Sequence, residues 1–171
     1  MKSTDEPLFE CQFDDLSKSE YDAIPVRQRI GCLLQAEPFA VLCTQGQGQP
    51  YGSLVAYAFS DDLQYAVFAT SKATRKYRLL TECSHVALVI DSRSRYGDEL
   101  MKIEAITATG KAEELPEGDQ EPWRPLLIKR HPYIETFIQS GTTALFRIKI
   151  FRYLHVSRFQ EVHQWIPQEN G

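Results

Sequence analysis

The sequence predicts a mainly β, α+β fold, in which six antiparallel strands close into a small barrel with flanking helices. Three observations predict it. Short apolar stretches recur along the chain, separated by turn residues such as Gly46, Gly48 and Asp61-Asp62. Helical patterns are few and brief. A meander of this kind leaves unpaired edges unless it closes, and a barrel removes them.

Taken in order, residues 1–22 are acidic and weakly periodic, an extension expected to lie over the body or to be partly mobile. Pro25 suits the first position of a helix running to about Glu37, with Val26, Ile30, Leu33 and Leu34 on one face and Pro38 as its stop. FAVLCTQ (39–45) is an apolar strand, GQGQP (46–50) a turn, YGSLVAYAFS (51–60) a second strand and QYAVFAT (64–70) a third. A helix is expected over about 74–82. HVALVIDS (85–92) is apolar on consecutive positions and so covered on both faces. SRSRYGDEL reads as a polar loop. KIEAITATGKAEEL (102–115) is a long strand in which Gly110 marks a bulge or a close approach. Residues 118–140 are helical in character, an insertion broken by Pro125 and Pro132. TALFRIKIFRYLHVS (143–157) alternates as a last strand, and the tail FQEVHQWIP ends in polar residues.

The bulk numbers narrow the function. A chain of 171 residues with 43% hydrophobic and 25% charged residues suits one domain with one core. A net charge of −4 argues against a nucleic-acid partner. No stretch approaches the ~18 apolar residues of a membrane span, and the acidic N-terminus lacks the apolar core of a signal peptide. The cysteines, Cys11, Cys32, Cys43 and Cys83, match no zinc spacing. Cys32, Cys43 and Cys83 have apolar neighbours and are expected as reduced thiols of a cytoplasmic protein. His85, His131, His155 and His163 form no metal pattern and read as structural or surface residues.

One stretch stands out chemically. VFATSKATRKYRLL, Val67 to Leu80, is a strand passing through a polar turn into a helix. Its turn carries the hydroxyls of Thr70, Ser71 and Thr74. Lys72, Arg75 and Lys76 crowd the helix start, where the dipole favours carboxylates rather than cations. Backbone N–H groups at a helix N-terminus together with such cations make a phosphate site. Equally, Ser71 or Thr74 can serve simply as an N-cap, with the cations solvated.

The segment Phe68-Ala69-Thr70-Ser71-Lys72-Ala73-Thr74-Arg75-Lys76 resembles the phosphate-binding segment of the pyridoxamine 5′-phosphate oxidase superfamily, the FMN-binding split β-barrels. The resemblance extends in order through FAVLCT, the glycine turn, GQPYGSLVAYAF and HVALVIDS, over about residues 24–115. It implies a six-stranded antiparallel split β-barrel and a homodimer with FMN in clefts between the protomers. By position, Thr74, Arg75 and Lys76 would hold the phosphate, with Thr70 and Ser71 beside it. Ser53, Leu54 and Val55 would lie along the isoalloxazine ring, largely through backbone groups, and Phe68 and Ala69 would flank the cofactor. Val156 to Phe159 is similar to a loop that some relatives bring near the flavin. Ser71 stands where the family has Asn, and Thr74 where it has Ser. The basic residues that pyridoxamine phosphate oxidases carry on the second strand, and their C-terminal substrate segment, are absent from this sequence. The resemblance therefore implies an FMN-binding oxidoreductase acting on a small molecule rather than the vitamin reaction itself. Haem, a deazaflavin, or a non-catalytic sensing role are the alternatives. Tyr51 and Tyr57 are the aromatic residues best placed to meet a ring. The sequence singles out no catalytic residue.

Overall fold

A computed structural model describes residues 8–13 and 15–169. Of the predicted N-terminal extension, residues 1–7 and Asp14 lie outside the described residues. Strands β1 (Phe39–Gly46), β2 (Gln49–Phe59), β3 (Tyr65–Ser71), β4 (His85–Asp91), β5 (Ala105–Glu114), β6 (Thr143–Ser157) and β7 (Glu161–Trp165) form one antiparallel sheet in the order β3-β2-β1-β4-β5-β6-β7. β3 also pairs with β6, from Tyr65 opposite Lys149 to Ser71 opposite Thr143, so the first six strands close into the predicted barrel. The seventh lies outside it. Assigned to no strand from sequence, the tail FQEVHQWIP follows a turn at Arg158 and Phe159, both at positive φ, and pairs with the end of β6. Its short alternating pattern is too weak to announce a strand without the partner that pairs with it.

Each helix occupies its place for a local reason. Helix α2 (Val26–Ala36) follows Pro25, which caps it from outside, and buries Ile30, Leu33 and Leu34 in the barrel core. Helix α3 (Arg75–Glu82) follows β3 directly, with Thr74 as N-cap: its hydroxyl accepts a hydrogen bond from the Tyr77 N–H. The polar loop after β4 contains a short helix, α4 (Arg93–Tyr96), and a 3-10 turn at Leu100–Lys102. Helix α5 (Trp123–Arg130) contains Pro125 without a break, because its third residue lies in the first turn, where no intrahelical N–H bond is forfeited. Pro132 does end that helical run, and α6 (Glu135–Ile138) follows. Leu127 and Ile138 of this insertion bury against Ala58, Val67 and Leu145 on the outer face of the barrel, a second apolar cluster.

Gly110 is both things the sequence allowed. The β5–β6 register shifts between Thr109 and Gly110, and a Cβ on Gly110 would lie 2.2 Å from the Lys149 carbonyl oxygen.

The N-terminal segment is strapped down. Helix α1 (Lys18–Asp22) carries a capping box from Ser17 and Glu20. Phe9 is buried over Gly31 of α2, where a Cβ would meet its ring at 2.3 Å. The expectation of reduced cysteines is corrected here: Cys11 and Cys32 are disulfide-bonded, with Cα atoms 5.5 Å apart. The pairing arises because residues 8–13 fold back along α2, a tertiary contact that the spacing of 21 does not encode. Cys43 and Cys83 are free and half-buried. No helix among the described residues is long and apolar enough to cross a membrane.

Candidate functional site

The site grows out of a parting of two strands. β2 and β3 pair only from Tyr57 opposite Phe68 to Phe59 opposite Ala66. Carried further, the same register would set Val55 opposite Thr70, Leu54 opposite Ser71 and Ser53 opposite Lys72. The strands separate there instead. β2 continues along β1 through residues 49–56, and β3 along β6 through Ser71. Each strand thus presents one backbone edge with no strand partner, and the two edges face a common cleft.

Helix α3 opens at the mouth of that cleft. Intrahelical bonding begins with the Arg78 N–H donating to the Thr74 carbonyl, so the N–H groups of Arg75 and Lys76 remain unsatisfied, as the first turn of a helix requires. Thr74 is held by Thr70, with hydroxyl oxygens 3.1 Å apart, and the Ser71 hydroxyl accepts from the Ala73 N–H. Lys72 leans instead toward Glu114, at 4.0 Å, a weak exposed pair, so the three-cation cluster reduces to two. Among the described residues no carboxylate pairs with Arg75 or Lys76. Lys76 is half-buried, and burial lowers its pKa from the usual lysine value. A cation that gives up hydration without gaining a protein carboxylate is suited to an anion from outside.

The predicted residues divide by side-chain direction. Along β2, Ser53 and Val55 turn inward with Tyr51, while Leu54 points out at 67% exposure. The Ser53 hydroxyl is buried with no hydrogen-bond partner, a group that calls for one. Phe68 belongs to the barrel core, stacked on Phe146 with ring centroids 5.4 Å apart. Ala69 packs against the second apolar cluster. Both side chains are committed to apolar packing. Thr70, Ser71, Thr74, Arg75 and Lys76 do come together. The structure adds Thr143, whose buried hydroxyl has no partner and which sits opposite Ser71 on β6. It also adds Glu114, which accepts from the Tyr77 hydroxyl at 2.8 Å and tethers α3 to β5. Both come from strands remote in sequence, so no local signal marked them. Tyr57 lies in the core, its hydroxyl donating to the Leu34 and Glu37 carbonyls, and is unavailable to a ligand.

This arrangement fits a phosphate carried on a flat ring system: two unpaired cations and two open N–H groups at one end, a strand edge and an orphan hydroxyl along the other.

The family model for pyridoxamine 5′-phosphate oxidase matches residues 26–157. The chain belongs to the pyridoxamine 5′-phosphate oxidase family. Within that family the match spans all six barrel strands and the α3 cradle. Solved structures share the fold. A haem-binding protein from Mycobacterium smegmatis superposes with a TM-score of 0.70 at 20% identity, over 79% of this chain. The chain covers 55% of that protein, about half its length. An FAD-binding protein from Mesorhizobium loti gives 0.62 at 18% identity, over 77% of this chain and 94% of its own. The haem storage protein HutZ from Vibrio cholerae gives 0.60 at 17% identity, over 84% and 95%. No curated protein matches the chain. At these identities the likeness concerns the fold alone, and the same fold carries different ligands in these neighbours.

Proposed function

We propose that the chain binds FMN and works as an oxidoreductase, exchanging two electrons between the flavin and a small molecule. The observation that carries this reading is the pair Arg75 and Lys76, cations without a protein counter-ion at the open first turn of α3, beside the parted edges of β2 and β3. Arg75 and Lys76 would hold the phosphate, with the Thr70, Ser71 and Thr74 hydroxyls around it. The β2 edge at Ser53 to Val55 would orient the ring. Bound flavin supplies the redox chemistry; the chain binds the ring, orients it and limits its contact with water.

A homodimer belongs to the same reading. The exposed Leu54 beside the β2 edge suits a surface that a second copy covers. We place the protein in the cytoplasm as part of this proposal.

Haem is the second reading, favoured by the haem-binding structural neighbours. Two of the four histidines are poor axial ligands. Both ring nitrogens of His131 are engaged, by the Tyr133 hydroxyl and the Tyr57 carbonyl, and His155 Nε2 is held by Glu104. His85 and His163 are the candidates left.

The test is a titration of the purified protein with FMN and, separately, with haemin. FMN fluorescence is expected to quench on binding, and Arg75→Ala and Lys76→Ala each to weaken FMN by about tenfold or more, the scale of a charge-assisted hydrogen bond. FMN affinity unchanged from the parent in both variants, or a Soret band with no flavin binding, overturns the proposal. Stopped-flow reduction of the bound flavin by nicotinamide nucleotides separates an oxidoreductase from a sensor.

A further inference from the structure

The opposite end of the barrel holds a second cavity, of about 420 Å³, none of whose lining residues belongs to the α3 site. About 40 Å of extended chain along β6 separates Ala144, paired with Thr70, from Ser157 at this end. The floor comes from the β4–β5 connection and the end of β6: Tyr96, Met101, Glu104 and Ser157. The roof is the N-terminal strap, through Phe13, Leu16 and Tyr21. The size lies in the range of small-molecule sites.

Phe13, Leu16, Tyr21, Tyr96 and Met101 supply its apolar and aromatic surface, and Met101 is 62% exposed beside it. Its polar groups are Asp15, Lys102, Glu104, Ser157 and Arg158, and both cations are already committed. Arg158 pairs with Asp22 at 3.0 Å and Glu161 at 3.1 Å, and Lys102 with Glu99 at 2.7 Å. Asp15 is an exposed carboxylate at the rim, and Glu104 is the half-buried one. Its Oε1 accepts from both the Tyr21 hydroxyl and His155 Nε2, the latter at 2.9 Å, while its Oε2 has no hydrogen-bond partner among the described residues. Burial pushes this carboxyl up, but the His155 and Tyr21 bonds outweigh it and hold it below the usual carboxylate range. The group is therefore ionised at neutral pH, with an acceptor oxygen to spare. Ser157 adds a buried hydroxyl without a partner in the cavity wall.

We propose that this cavity is a binding site for a small aromatic carboxamide, its ring against Phe13, Leu16 and Met101 and its amide N–H₂ donating to Glu104 Oε2. The charges select the class. The cations at the rim are neutralised by their own carboxylates, so an anionic ligand gains little from them. It would also meet the ionised Glu104, a like charge in a low-dielectric wall. An uncharged N–H donor meets a strong charge-assisted acceptor instead.

The test uses an isosteric pair, benzamide and benzoate, with the full-length oxidised protein, followed by ¹H–¹⁵N shift perturbation. Benzamide, the smallest member of the class, is expected to bind at about millimolar Kd. It should perturb Tyr96, Met101 and Ser157 while leaving Arg75 and Lys76 unmoved. Benzoate should bind about tenfold more weakly or not at all. Glu104→Gln removes the charge and can donate as well as accept, so the preference should shrink to about twofold. Because Glu104 also holds Tyr21 and His155, Met101→Trp serves as a second variant. It fills the cavity from an exposed position and should abolish benzamide binding with the fold intact. Absence of benzamide shifts at these residues, equal binding of the two compounds, an unchanged preference in a folded Glu104→Gln protein, or undiminished binding to Met101→Trp each overturns the proposal. None of these outcomes bears on FMN binding at α3.

Discussion

The guanidinium of Arg75 lies 5.0 Å from the centre of the Tyr51 ring, so the first residue of α3 is braced against the inward face of β2. One side chain thereby links the two walls of the cleft. The aromatic face orients the arginine without neutralising it, which a carboxylate in the same place would do.

Tyr51→Leu should loosen Arg75 and weaken FMN about two- to fivefold, the scale of one partly exposed cation–π contact. Tyr51→Phe keeps the ring face and should bind as the parent does. Fluorescence titration of the two variants checks this, and equal losses in both would show that the hydroxyl, not the ring, matters.

The Cys11–Cys32 bond closes a loop over a sequence separation of 21. Cys32→Ser should lower unfolding stability by up to about 3 kcal/mol, read from the urea midpoint. Dithiothreitol should move the parent toward the variant and leave the variant itself unchanged. The reduced protein should also be cleaved faster by protease within residues 8–17, since Phe9 then loses its tether over Gly31.

Gly110→Ala should destabilise the barrel by about 2 kcal/mol or more. The added Cβ meets the backbone of Lys149 rather than a movable side chain, and the β5–β6 bulge has no room to yield. Thermal unfolding measures it; a shift below one degree would contradict the close approach.

Burial holds the His131 pKa below the ordinary value of 6.5. The unfolded chain therefore binds the proton more readily than the folded one. Stability is expected to be level above pH 6.5 and to fall as pH drops from 6.5 toward the lowered folded value. His131→Gln should flatten that part of the profile, measured by urea unfolding between pH 5 and 7.5 (bounds of roughly one unit either side of the ordinary value).

Most of the barrel was legible because its signals are local. Apolar runs bounded by Gly46, Gly48 and Asp61-Asp62 set β1, β2 and β3, and the start of α3 was placed near residue 74, with the structure choosing Thr74 over Ser71 as its cap. β7 was not legible, since a five-residue alternation means little until β6 lies beside it. Within the site, Arg75 and Lys76 stood out as cations at the wrong end of a helix. The diversion of Lys72 to Glu114, and the burial of Phe68 in the core, depend on strands more than thirty residues apart or on the opposite sheet face.

The sequence by itself determined where the chain turns, that the six barrel strands exist, and that positive charge gathers where β3 meets α3. Those facts follow from residue type and spacing, which act over a few positions. Only the tertiary structure decided that β2 and β3 part beyond Tyr57 and Phe68, that Ser53 and Thr143 bury hydroxyls with no partner, and that Cys11 meets Cys32. Each depends on which distant segment packs alongside, and closing those long loops is favourable only once the whole barrel buries its core.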